Sequence, residues 1–170
     1  MVERKNAITM KGAALTLVGA ELKVGDKAPD FTVVDKTMAP KSLKDYEGKI
    51  KVFSVTPSLD TPVCDLQATW FNEDTAELGD VYVLNVSMDL PFALGRYCAA
   101  KGFDKVVTLS DHRDASFGKA YGVLIKELRL LTRAVFVVDR DDVVRYIEVV
   151  PEATNSINYD ALLEAVKKLV

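Results

Sequence analysis

The sequence predicts an α/β fold in which helices flank a central mixed β-sheet. The continuously apolar run at residues 81–86 is typical of a buried, parallel strand. Strands of this kind alternate with segments of helical spacing, which is the pattern of a sheet covered by helices on both faces. Two further apolar runs near the end of the chain, at 133–138 and 143–150, predict a closing antiparallel hairpin and make the sheet mixed.

Turn signals and apolar spacing predict the individual elements. Lys11 and Gly12 separate two short apolar stretches within residues 7–18, which predicts an N-terminal β-hairpin ahead of the main fold. In chain order, the sequence predicts this hairpin, a turn-rich connection at 25–29, a strand at 50–55, a helix ending near 78–80, a strand at 81–86, a helix at 91–100, a strand at 106–109, a short helix at 116–121, the closing hairpin and a last helix at 159–169. The last helix should face the core with its apolar side chains, Leu162, Leu163, Val166 and Leu169. This order of elements is thioredoxin-like.

Length and composition indicate one globular domain, residues 1–170, in which residues 1–20 form the hairpin extension. The chain is 49% hydrophobic and carries a net charge of −3, so neither a nucleic acid nor an anionic membrane is expected as a partner. No apolar run approaches the length of a membrane span, and residues 1–6 lead into no apolar signal core. We therefore expect a cytoplasmic protein.

Cys64 is predicted to lie in the first turn of a helix that begins where a strand ends. Thr61 is a good N-cap and Pro62 suits the first helical position, so Cys64 falls at the third position; Asp60 could serve as the cap instead. Free backbone N–H groups and the helix dipole favour the reactive thiolate form there. Cys64 is thus a candidate nucleophile, and a small buried hydrophobe is the alternative interpretation. Apolar residues at helical spacing mark this helix: Val63, Leu66 and Trp70.

Cys98 is the second of only two cysteines and lies on the helix after the next parallel strand. Right-handed crossovers place both cysteine-bearing segments at the same edge of the sheet, where active sites of open α/β sheets gather. The separation from Cys64 is 98 − 64 = 34 residues, which is not the spacing of a CxxC exchanger. A static disulfide is the alternative, but a reducing compartment argues against it.

Arg133 precedes an apolar strand and could direct its guanidinium toward the thiolate; a solvated arginine at a strand end is the alternative. His112 is the only histidine, and its spacing from the cysteines fits no common zinc pattern. We interpret it as a surface or loop histidine. The acidic residues Asp111, Asp114 and 139–142 are interpreted as solvated turns, because no calcium-loop spacing is present.

The pattern formed by Pro57, Thr61 and Cys64, together with Arg133, resembles the active-site signature of the peroxiredoxins. With Cys98 at its spacing, the resemblance is specific to the thiol peroxidase subfamily and covers essentially the whole chain. The segments that carry it are residues 57–73, 89–98 and 121–125, together with the N-terminal hairpin.

This resemblance implies a thioredoxin-like fold, a homodimer and an atypical 2-Cys mechanism that needs no metal or organic cofactor. Cys64 would reduce hydrogen peroxide or an organic hydroperoxide and become a sulfenic acid, which Cys98 would resolve as an intrachain disulfide. Thioredoxin would restore both thiols by exchange.

The remaining site residues receive roles by the same resemblance. Arg133 would hold the thiolate and the developing negative charge, while Thr61 positions the peroxide oxygen. Pro57 would close the pocket and limit water near the sulfur. Because Cys64 starts inside a helix, a bridge to Cys98 should require local unwinding.

Two departures from the subfamily pattern are visible. Residues 68–70 read Ala-Thr-Trp where one or two basic residues are expected, and Leu94 stands where glutamine is frequent. These departures bear on substrate preference or interface detail. A peroxide sensor or redox relay that passes oxidation to a partner protein is an alternative function, and a non-catalytic binding domain is a third.

Overall fold

Eleven strands, four α-helices and one short 3₁₀ helix, Leu43–Tyr46, make up the described part of the fold. The structure is a computed structural model that describes residues 1–170, except for the side chains of residues 75–77. The strands are β1 (Glu3–Met10), β2 (Ala13–Val18), β3 (Val33–Asp35), β4 (Pro40–Lys41), β5 (Ile50–Val55), β6 (Val81–Ser87), β7 (Val106–Ser110), β8 (Leu124–Ile125), β9 (Leu130–Leu131), β10 (Ala134–Val138) and β11 (Val144–Val149). The helices are α1 (Pro62–Leu78), α2 (Pro91–Lys101), α3 (Ser116–Ala120) and α4 (Tyr159–Lys167).

The central sheet has seven strands in the order β11-β10-β5-β6-β7-β3-β4. Strands β5, β6 and β7 are parallel, whereas β10 pairs antiparallel with β5 and β11 antiparallel with β10. Every residue of β5 and of β10 is buried. A strand covered on both faces has no polar side to expose, which explains the continuous apolar run of β10. In β5 the two buried polar side chains have partners: Lys51 pairs with Asp142, and Ser54 accepts a hydrogen bond from Gln67. The predicted mixed sheet flanked by helices is confirmed.

Strand alternation divides the core between the two faces of this sheet. On one face, side chains of β5 and β10 pack against α1 and α4, and the buried members of this cluster include Val52, Phe71, Val135 and Leu162. On the other face, aromatic rings pack around α3, including Phe31, Phe53, Phe117, Tyr121 and Phe136. Among the described residues, no helix has the length and apolar character needed to cross a membrane.

The predicted N-terminal hairpin is present as β1 and β2, and it starts earlier than expected, at Glu3. It belongs to a second sheet of order β1-β2-β8-β9 that the sequence did not predict. The added strands have two residues each, too few to show any periodicity. Backbone hydrogen bonds between Thr9 and residues 151 and 153 tie this sheet to the segment after β11.

The buried face of α1 differs from the one its apolar spacing indicated. Leu66 is 63% exposed, while Cys64, Gln67 and Ala68 are buried beside Phe71. The positions that face the sheet are therefore occupied partly by polar and small residues. The prediction for α4 is confirmed: Leu162 and Val166 are buried, and Leu163 and Leu169 pack against the same cluster.

Two acidic residues interpreted as solvated are in fact buried. Asp111 accepts hydrogen bonds from the backbone amides of Phe117 and Gly118, at 3.0 and 2.8 Å, and so holds the start of α3. Asp139 accepts from the amides of residues 141 and 143 and pairs with Arg145. A polar turn has the same sequence pattern whether its carboxylate is exposed to solvent or accepts hydrogen bonds from backbone N–H groups.

Asp111 should give the protein a pH-dependent stability. Burial raises the pKa of Asp111 to about 6, so the folded protein binds this proton more tightly than the unfolded chain, where aspartate titrates near 4. The protonated Asp111 side chain therefore stabilises the folded state. Its contribution to the free energy of unfolding is complete below pH 4 and is lost as the pH rises through 6. Relative to Asp111→Asn, the free energy of unfolding should fall by about 2–3 kcal/mol between pH 4 and pH 7.

Urea unfolding of both proteins at several pH values within this range measures the difference. Asp114→Asn, at an exposed position of the same loop, is the matched control. A difference between wild type and Asp111→Asn that does not change with pH would contradict the prediction.

Candidate active site

Cys64 lies in the first turn of α1, just beyond the carboxyl end of β5. The helix has Thr61 as its N-cap and Pro62 at its first position, which rules out the alternative register with Asp60 as the cap. The Thr61 side chain does not cap the helix; its hydroxyl donates to the carbonyl of Ser58 at 2.9 Å. The cap position is as predicted, but its side-chain hydrogen bond is absent.

The Arg133 guanidinium contacts the buried sulfur of Cys64 directly. Its Nη2 donates to Sγ at 3.0 Å, and the arginine is only 2% exposed. The alternative of a solvated strand-end arginine is therefore wrong. A guanidinium group and the N-terminus of a helix thus both lie beside the sulfur, and both interact favourably with negative charge.

Strand alternation explains why Arg133 points at the cysteine. The side chains of Val135 and Val137 in β10 face α1, and a residue two positions before Val135 faces the same way. Arg133 occupies that position. Its Nε also donates to the carbonyl of Ala153 at 3.0 Å, which fixes the guanidinium on the side away from the sulfur.

Gln67 is a site residue that the sequence reasoning missed. It lies one turn after Cys64 on the buried face of α1, where its Oε1 accepts from Arg133 Nη1 at 2.8 Å. Its Nε2 donates to Ser54 Oγ in β5 at 2.7 Å. Gln67 thereby orients the guanidinium and anchors it to the sheet. A polar residue at i+3 from the cysteine, on a helix face that must meet a sheet, was the available signal.

The segment between β5 and α1 is anchored by Asp89, a second residue whose role was missed. Ser58 Oγ donates to Asp89 Oδ1 at 2.6 Å, and the Leu59 amide donates to Oδ2 at 2.9 Å. Pro57 is buried within this segment, whereas Thr61 is exposed. Pro57 thus lies in an anchored segment that leads into the helical turn of Cys64, and the Thr61 hydroxyl is engaged by Ser58 rather than by the sulfur.

Cys98 is buried in α2, and its sulfur lies 3.5 Å from Thr108 Oγ1 in β7. Both cysteines are free. Thr108 shares a face of β7 with Val106, which belongs to the cluster under α1 and α4, so the two cysteines lie on the same face of the sheet. His112 follows β7 and approaches Ser110 Oγ at 2.9 Å through Nδ1.

One residue of the segment 68–70, Ala68, and Leu94, both singled out above as expected departures from the subfamily pattern, lie in one small cluster. Ala68 in α1 and Leu94 in α2 pack together with Leu59, and all three are buried. An open groove of about 490 Å³ runs beside this cluster along α2. The two cysteine-bearing helices are therefore in apolar contact at this point.

Comparison with known proteins places this site in a family. The family model described as Redoxin matches residues 23–163. The chain belongs to the redoxin family. Within it, the thiol peroxidase of Bacillus subtilis (strain 168) is 60% identical over 163 residues, which cover 96% of this chain and 98% of that protein. A thiol peroxidase of Listeria monocytogenes serotype 4b is 53% identical over 95% of this chain and 98% of its own length.

Comparison with solved structures agrees with the membership of this chain in the redoxin family. A peroxiredoxin-like protein from Aquifex aeolicus superposes with a TM-score of 0.90 and 42% identity, over 98% of this chain and 99% of that one. A thiol peroxidase from Chromobacterium violaceum has a TM-score of 0.83 at 21% identity, over 95% of each chain, and shows the shared fold. The thioredoxin-like fold and the membership of the thiol peroxidases are confirmed, and the chain is a peroxiredoxin-type oxidoreductase.

Replacement of Arg133 should slow the oxidation of Cys64 by peroxide. Arg133→Met keeps the aliphatic stem but removes the donor to Cys64, so we expect peroxide to oxidise Cys64 about 10²-fold more slowly, as for loss of one preorganised donor. Rapid-quench oxidation with hydrogen peroxide measures this rate. Arg140→Met removes an arginine that is half exposed and is the matched control. Equal rates in the two variants would remove Arg133 from the chemistry.

Proposed function

We propose that this chain is a thiol peroxidase that reduces hydrogen peroxide and organic hydroperoxides through a sulfenic acid on Cys64, with Cys98 as the resolving cysteine. The observation that carries the proposal is the buried Arg133 guanidinium held 3.0 Å from the Cys64 sulfur at a helix N-terminus. This arrangement stabilises a thiolate without exposing it to solvent.

In the first step the Cys64 thiolate attacks one oxygen of the peroxide, and the O–O bond breaks. The sulfur gains that oxygen as a sulfenic acid, and the other oxygen leaves as water or an alcohol after taking up a proton. Arg133 faces the charge that moves from sulfur to oxygen. Pro57 limits water near the sulfur, and Thr61 assists with its hydroxyl once that group turns from Ser58 to the substrate.

In the second step the Cys98 thiol attacks the sulfenic sulfur, which forms the disulfide and releases water. Each sulfur has its own partner in the reduced protein, Arg133 for Cys64 and Thr108 for Cys98. Disulfide formation needs the sulfurs to come within about 2.0 Å, so the ends of α1 and α2 must rearrange first.

In the third step a thioredoxin dithiol reduces the disulfide by exchange and restores both thiols.

We further propose that the protein works in the cytoplasm as a homodimer, and that residues 1–170 form one domain with residues 1–20 as its extension. Exposed apolar side chains on and beside α1 and α2 support a subunit contact on this side of the molecule: Leu66, Leu90 and Phe92. No cofactor takes part in these steps.

Thioredoxin-coupled peroxide consumption tests the proposed activity. Cys64→Ser should abolish turnover with both hydrogen peroxide and an organic hydroperoxide, because serine offers no thiolate. The circular dichroism spectrum should not change. Retained turnover in Cys64→Ser would refute the assignment, and oxidation of wild type without catalytic cycling would favour a sensor or relay.

Cys98→Ser should separate the first step from the second. Cys64 should still be oxidised once at the wild-type rate, but thioredoxin-dependent cycling should stop and Cys64 should reach the sulfinic state more readily. Peptide mapping without reduction, after one equivalent of peroxide, identifies the products. A dominant Cys64–Cys64 crosslink between wild-type chains would contradict the intrachain mechanism.

A further inference from the structure

A polar network joins the two cysteine-bearing helices immediately beside the cysteines. Asp65 follows Cys64 in α1, and Tyr97 precedes Cys98 in α2. The Tyr97 hydroxyl donates a hydrogen bond to Oδ1 of Asp65, and Lys101 Nζ lies 3.0 Å from Oδ2 of the same carboxylate. One carboxylate of α1 is therefore held by two side chains that stand one turn apart on α2.

The bond from Tyr97 is the stronger part of this network. A hydrogen bond to a carboxylate is charge-assisted and about twice as strong as one between neutral groups. Burial opposes ionisation of Asp65, but the bonds from Tyr97 and Lys101 and the charge of Lys101 hold the pKa of Asp65 below its usual range. The Lys101 and Asp65 side chains are 43% and 31% exposed, so the ion pair itself contributes little.

The aromatic ring of Tyr97 fixes the position of its hydroxyl. It packs edge-on against Phe103 with ring centroids 5.4 Å apart, and it lies against the apolar cluster shared by α1 and α2. The hydroxyl is therefore presented to Asp65 by a ring that is held in place, so the bond loses little side-chain freedom on forming.

The network opposes the movement that disulfide formation requires. The partners of the two sulfurs belong to β7 and to the start of β10, and β5 and β6 lie between them, a span of about 14 Å across the sheet. Asp65 is in the same helical turn as Cys64. When that turn unwinds to carry Cys64 toward Cys98, Asp65 must leave Tyr97.

We propose that Asp65, Tyr97 and Lys101 are positioning residues that clamp α1 to α2 and set the rate at which Cys64 and Cys98 form their disulfide. This inference rests on the proposed function. With the clamp closed, Cys64 keeps its contact with Arg133. With the clamp open, the Cys98 thiol reaches the sulfenic sulfur, the S–S bond forms and the sulfenic oxygen leaves as water.

The clamp also sets the balance between disulfide formation and overoxidation. A Cys64 sulfenic acid that waits can meet a second peroxide, which transfers one oxygen to give the sulfinic acid and leaves as an alcohol or water. A clamp that opens slowly lengthens this wait. The three side chains therefore determine the peroxide concentration at which the enzyme is inactivated.

Tyr97→Phe tests the clamp, since it deletes the hydroxyl and retains the ring that packs against Phe103. The control is Tyr146→Phe, which removes a similar bond, from Tyr146 to Glu148 at 3.0 Å, on β11. Each protein is mixed with one equivalent of hydrogen peroxide, quenched in acid, alkylated and analysed by mass spectrometry over time. This procedure separates oxidation of Cys64 from disulfide formation.

In Tyr97→Phe, disulfide formation should be about 5- to 10-fold faster, while Cys64 oxidation stays within about 2-fold of wild type. The fraction of sulfinic acid per turnover should fall by a similar factor. Asp65→Ala, which removes the acceptor, should act in the same direction, and the double variant should be no faster than the faster single one, because both changes remove the bond between Tyr97 and Asp65.

Several outcomes would overturn the clamp. Disulfide formation in Tyr97→Phe that is unchanged or slower refutes it, as does equal acceleration in Tyr146→Phe. Full additivity of Tyr97→Phe and Asp65→Ala also refutes it. If wild type forms no Cys64–Cys98 disulfide, both the clamp and the proposed mechanism fail, whereas a normal wild-type disulfide with an unaffected Tyr97→Phe removes the clamp alone.

Discussion

A buried guanidinium group is the constraint on which the site depends. Arg133 carries five N–H donors and a charge that it cannot lose, so its burial is costly unless acceptors surround it. The fold supplies acceptors from three places: the carbonyl of Ala153, the amide oxygen of Gln67 and the sulfur of Cys64. A shift of β10 by one residue would turn Arg133 toward the aromatic face and leave all three acceptors unpaired. The register of the sheet and the position of the reactive sulfur are thus parts of one arrangement.

Much of this arrangement could be predicted because it follows from local rules. Apolar runs identify β5 and β6 since both faces of those strands are covered, and a threonine followed by a proline identifies the start of α1. The cysteine at the third helical position then acquires its chemistry from the helix itself. The place of Arg133 follows from alternation along β10 once the order of the strands is known.

The rest depends on tertiary contacts that no local pattern encodes. Strands β8 and β9 have two residues each and form through pairing with distant parts of the chain: β8 pairs with β2, and β9 pairs with β8. Leu66 fits an apolar helical spacing yet is exposed, because the face of α1 toward the sheet is reserved for Cys64 and for Gln67, which binds Arg133. Asp111 looks like a turn residue and becomes buried because the amides that begin α3 need an acceptor.

The sheet also separates the parts of the protein that would change in the proposed redox cycle from those that would not. Both cysteines and the helices that carry them lie on one face, while the stacked rings of Phe117 and Tyr121 lie on the other, with centroids 4.1 Å apart. The proposed unwinding at the ends of α1 and α2 would leave the aromatic side intact. Most of the apolar area that unfolding exposes therefore stays the same in both redox states, so the oxidised and reduced proteins should have nearly equal heat capacities of unfolding. The proposed cycle would thus change the two helices on one face of the sheet and leave the aromatic packing on the other face unchanged.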